Sequence, residues 1–293
     1  MGTSSSSKGP GSGTPLVPTW LDDSSGAALP GGAGDSSPET PNETQPDPGS
    51  SPVAPATLPP ISKPPSESRF QSGRRSFSAF AASGGSDRRA MHRAVRSYVR
   101  AGTGGSANAV RKMGASRATA RRMLGVFRGF ERDGVDTTLR RLNLASLVGR
   151  PLEDVLLGLA DIVCPDGGSI DEGIARDAWL ETIAELEALD IGDAATLTDV
   201  QMRETFLAFV THAIEGRLFQ DIGVNGLKVA KDLAAIEAFQ AQLRSYIRGA
   251  VRDSFSRDLN SLAALSDEQI SEIVDQTYRD AWDILDAWSE DEE

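Results

Sequence analysis

The 293-residue chain carries 30 basic and 42 acidic side chains, a net charge of −12, and is 39% hydrophobic but only 6% aromatic. Its one cysteine, Cys164, excludes an internal disulfide framework and fits a reducing compartment. No apolar run reaches the ~18 residues a membrane helix needs, and the start lacks the basic and apolar segments of a secretory signal, so the expectation is a cytoplasmic protein with no membrane partner.

Residues 1–68 read as a disordered arm. They hold 14 of the 16 prolines, and Pro, Gly and Ser fill 37 of the 68 positions. So few large aliphatic residues remain that burial cannot offset the entropy of ordering. The arm opens Met1-Gly2-Thr3-Ser4, and Met1-Gly2 with Ser6 matches the loose myristoylation pattern. No basic cluster follows, and one acyl chain alone holds a membrane only marginally.

Helices are expected almost throughout the rest. Phe70, Phe77 and Phe80 fit a short helix or an arm docked on the core. Residues 87–101 form a helix with Ser86 as N-cap, an apolar stripe through Ala90, Met91, Ala94, Val95, Tyr98 and Val99, and arginines at 89, 93, 96 and 100 on another face. Gly102-Thr103-Gly104-Gly105 ends it. Two further basic helices run over roughly 107–113 and 116–132, split at Gly114. Pro151 opens a helix reaching Val163.

Ser169 with Glu172, and Thr198 with Gln201, make capping boxes ahead of two amphipathic helices. Residues 227–259 fit one long helix. Ser266 and Gln269 open the last, with its stripe through Ile270, Ile273, Val274, Tyr278, Trp282 and Leu285. No alternating strand pattern occurs. The expected fold is therefore all-α, a helical bundle behind a Pro/Gly/Ser-rich tail.

Charge divides the chain into three blocks. Residues 1–68 carry a net −5, residues 69–141 a net +13, and residues 142–293 a net −20. The expected organisation is an arm over 1–68, a basic helical region over 69–141 and an acidic bundle over 142–293, the last two packed as one domain. The acidic side chains read mainly as solvated helix faces.

Catalytic constellations are scarce. His92 and His212 lack partners in sequence, and Cys164 has acidic neighbours where a nucleophile needs a base or a cation. No metal motif or phosphate-cradling glycine loop occurs. The expectation is a non-enzyme with neither cofactor nor metal. Arg89, Arg93, Arg96, Arg100, Arg111, Lys112, Arg117, Arg121 and Arg122 remain as candidate anion or nucleic-acid contacts. Docking on the acidic helices is the other use for them.

Several segments together resemble the QatB family of bacterial Qat anti-phage defence operons. They are Met1-Gly2-Thr3-Ser4 with the run Gly9 to Trp20, then Phe80 to Gly85, Tyr98 to Gly105, Arg111 to Gly114, and Cys164 to Glu172. The resemblance implies a partner set: a QueC-like enzyme (QatC), a P-loop ATPase (QatA) and a TatD-like nuclease (QatD). It further implies that Gly2, freed of Met1, offers an α-amine for modification by the QueC-like partner, and that Gly2, Thr3, Ser4 and Trp20 are what a partner recognises.

Overall fold

The computed structural model describes residues 67–84, 86–164, 168–187, 197–222, 233–255 and 262–287. All of them fall in one compact unit, 61–293. The expected arm, with Gly2, Thr3, Ser4 and Trp20, lies outside the described residues. Among those described, the regular elements are all helical, as the sequence patterning requires. No described helix is long and apolar enough to cross a membrane.

A 3₁₀ turn, Glu67–Phe70, leads into α1 (Gln71–Ala82). Then come α2 (Arg88–Ser97), a π-helical turn over Tyr98–Thr103, α3 (Ser106–Lys112), α4 (Gly114–Asp133) and α5 (Val135–Arg141). The remainder comprises α6 (Leu152–Gly158), α7 (Ala160–Val163), α8 (Ile170–Glu187), α9 (Asp199–Ile222), α10 (Leu233–Ser254) and α11 (Asp267–Ala287).

The stripes bury as their spacing demands. Ala90, Met91, Ala94 and Val95 of α2 are buried, and so is every stripe residue of α11. Each large side chain so removed from water contributes about 1.5–3 kcal/mol. Phe77 and Phe80 fix α1 to this core, and the Phe80 ring lies 5.0 Å from that of Phe239 on α10. One continuous apolar cluster runs from Phe77 to Leu285. The basic helices α3 and α4 both pack on the acidic α11, and α4 also meets α8 and α9.

Helix α9 departs from the amphipathic expectation. From Thr205 to Glu215 it is buried all round, including Thr211, His212 and Glu215. Such a helix must satisfy its own polar groups. Thr205 and Thr211 donate to the carbonyls four residues back, at 2.7 and 2.8 Å; His212 and Glu215 turn to other helices.

Three boundary expectations are corrected. Asp87, not Ser86, caps α2: its carboxylate accepts from the Ala90 amide at 2.9 Å, while Ser86 Oγ is spent on the Ser83 carbonyl at 2.8 Å. The helix after Pro151 divides at Leu159. There Trp179 Nε1 donates to the Leu156 carbonyl at 3.2 Å, taking the acceptor that would carry the ladder onward. Of the long helix expected over 227–259, Leu233–Ser254 is helical and Phe255 stands outside it, while 227–232 and 256–259 lie outside the described residues. The boxes at Ser169 and Glu172, Thr198 and Gln201, and Ser266 and Gln269 all form.

Candidate functional site

The candidate cations divide into those engaged by the fold and those left at its surface. Arg117 and Arg121, one turn apart on α4, both reach Asp275 Oδ1 on α11, at 2.8 and 2.5 Å. Arg100 Nε donates to Asp286 Oδ1 at 2.7 Å. Arg122, exposed, donates to the Val163 carbonyl at 3.2 Å. Arg93 stands 4.0 Å from Asp87, both largely in water. Arg96 is half-buried, and Arg89 and Arg111 are exposed. No ion pair joins Arg89 or Arg111 to a carboxylate among the described residues.

Lys112 belongs to a different junction. Its Nζ and the Tyr98 hydroxyl both donate to Asp221 Oδ2, at 2.7 and 2.8 Å. Arg217 lies 3.5 Å from Asp221 Oδ1 and bonds Asp171 at the start of α8. Burial first, and then the Asp221 charge, push the Tyr98 hydroxyl well above its usual pKa, so it stays a donor. The Tyr98 ring stacks between Phe70 and Trp282, at 5.8 Å from each. Gly102 is required beside it, because a Cβ there would come within 2.7 Å of the Phe70 ring. Lys112 thus locks α3 to α9.

The sequence did not single out one concavity of the described body. A groove of about 540 Å³ opens between α8, α9 and α10, within the size range of ligand sites. Ile174, Ala178 and Phe219 make its apolar wall; Asp177, Glu181, Gln220 and Gln240 bring polar groups to it. At its base lies His212, its side chain only 3% exposed. His212 Nε2 is 3.0 Å from Glu185 Oε2, and Arg248 reaches that same oxygen at 2.5 Å. Arg244 Nε donates to Glu215 Oε2 at 2.7 Å. The His212 hydrogen bond, aided by Arg248, holds the Glu185 carboxyl below the usual glutamate value of 4.5. A signal for this cluster was present: Glu, His and Arg fall on helix faces that would otherwise be apolar. Which faces oppose one another was not written in the spacing.

The expected structural roles of Cys164 and of one histidine match the geometry. Cys164 closes α7 inside the core, and burial pushes its thiol above the usual value. His92 packs edge-on against Tyr246, with ring centres 4.7 Å apart. Among the described residues no group of three or more His, Cys, Asp or Glu side chains is arranged to hold a metal ion.

A model of the family described as "Qat anti-phage system associated protein QatB" matches residues 104–285, more than half the chain. That span runs from the glycine turn before α3 into the last turn of α11. No curated protein and no solved structure matches the chain.

Proposed function

The chain belongs to the QatB family of Qat anti-phage system associated proteins, and on that premise we propose that it serves the system as a non-catalytic, cytoplasmic, partner-binding subunit. The family match over residues 104–285 is the observation that carries this reading. The matched span is the helical body from α3 onward, and the body binds a QueC-like enzyme, with a P-loop ATPase and a TatD-like nuclease as the further partners. The arm, outside the matched span, presents Gly2. An α-amine has a pKa near ~8, so a useful fraction is nucleophilic at neutral pH. Small Thr3 and Ser4 leave it unhindered, and Trp20 marks the far end of the recognised stretch.

Intact-mass measurement after co-expression with the QueC-like enzyme tests the modification. The expected result is an adduct mapping to Gly2 and lost on Gly2→Pro. An unmodified Gly2 in a phage-resistant strain would refute it. Pull-down of each partner by the full chain tests the binding role separately.

Exposure of Arg89 and Arg111 favours a second reading, nucleic-acid binding by α2 to α4. The carboxylates engaged by Arg100, Lys112, Arg117 and Arg121 weigh against it. Phosphate contacts make retention fall steeply with salt. If reversing Arg89, Arg93 and Arg111 to Glu leaves retention on DNA and RNA unchanged, this second reading fails.

A further inference from the structure

The groove between α8, α9 and α10 gathers several carboxylates, beside the amides of Gln220 and Gln240, which both donate and accept. His212 Nε2 faces Glu185 Oε2 at 3.0 Å. A carboxylate only accepts, so Nε2 carries a proton. Nδ1 stands 3.8 Å from Glu215 Oε2, a second acceptor, beyond hydrogen-bonding distance.

The upper wall adds two more acceptors. Asp177 and Glu181 lie one turn apart on α8 and both line the groove. Neither forms a hydrogen bond or ion pair with another described residue. Among the described lining residues the one cation, Arg244, donates to Glu215 and feels the Glu181 charge more weakly. Ile174 and Phe219 offer an apolar flank beside these charges.

A group that complements this lining carries positive charge, several N–H donors and an apolar stem. A guanidinium supplies five donors in a rigid plane, on three methylenes that pack along apolar surface. We propose that this groove docks an arginine-bearing segment of a partner protein. The guanidinium lies between Asp177 and Glu181, while its stem runs along Ile174 and Phe219. This deepens the partner-binding reading above by naming what the partner presents. It rests on the groove alone and is independent of any change at Gly2.

Fluorescence anisotropy of a labelled peptide, Ala-Ala-Arg-Ala-Ala, against the full chain tests it. Saturable binding is expected. The citrulline counterpart, equal in shape but uncharged, binds at least tenfold more weakly. The D177N/E181Q double variant, altered only at exposed positions, also weakens the arginine peptide at least tenfold, and D283N on the exposed face of α11 leaves it unchanged. Circular dichroism confirms that the variants remain helical. Equal binding of the citrulline peptide, indifference to D177N/E181Q, or no binding at millimolar concentration overturns the proposal. So does free arginine binding as tightly as the peptide, since the groove would then serve a small molecule. The Gly2 mass measurement can fail while this succeeds, and the reverse.

Discussion

Asp275 receives two guanidiniums on a single carboxylate oxygen, with all three side chains between one-fifth and one-third exposed. Removing it leaves Arg117 and Arg121 half-desolvated with no counter-charge. Partial exposure discounts the 3–5 kcal/mol cost of breaking a fully buried pair, so D275A should lower the unfolding free energy by about 1–2 kcal/mol. Urea denaturation measures this, and R121A should cost less in the D275A background than alone. The general reading of the acidic side chains as solvated faces covers Asp275 only in part. Helical period places it on the border of the α11 stripe, but the arginines opposing it are more than 150 residues away. Glu185 illustrates the same blindness with a different readout. Its folded pKa is depressed, chiefly by His212, so its stabilisation is full above the unfolded value of about 4.5 and is lost as pH falls through the lower folded value. The unfolding free energy of E185Q should therefore change less steeply with pH below about 5 than that of the parent chain, and parallel acid limbs would remove Glu185 from the account.

At the scale of elements, caps and stripes were the most legible features because they are local. Three capping boxes form where Ser or Thr precedes Glu or Gln by three residues, and the α11 stripe buries completely. Errors arose where two local signals competed or where a distant group intervened. Ser86 and Asp87 are both good N-caps, and only the chain direction after α1 decides between them. D87A should cost about 1 kcal/mol and S86A markedly less; thermal melts of the two variants settle the order. The division between α6 and α7 comes from the Trp179 indole on α8, which no pattern within 151–163 can reveal. The all-round burial of α9 was legible in the unbroken run Phe206-Leu207-Ala208-Phe209-Val210, which an amphipathic reading of the helix passed over. What its sequence could not show is that α8 brings a glutamate and α10 two arginines to meet it.

The whole molecule was readable in outline. An all-helical body and the family were visible from periodicity and a few short segments, and the charge blocks raised the prospect of internal pairing. Their pairing partners follow from tertiary packing, which joins α4 to α11 across most of the body. That separation has a temporal side. Chains emerge from the ribosome at about 5–20 residues per second, so the 154 residues between Arg121 and Asp275 represent roughly 8–30 s of synthesis at that pace. Throughout that interval the segment 69–141 carries a net charge of +13 with its carboxylate counterparts on α11 still unmade, in surroundings crowded with RNA. A chain ended just before Asp267 makes the interval permanent. It should co-purify with nucleic acid, read as a raised ratio of absorbance at 260 to 280 nm that salt reverses, whereas the full chain should not. A clean spectrum from the shortened chain would mean that the nascent arginines are shielded by something other than α11.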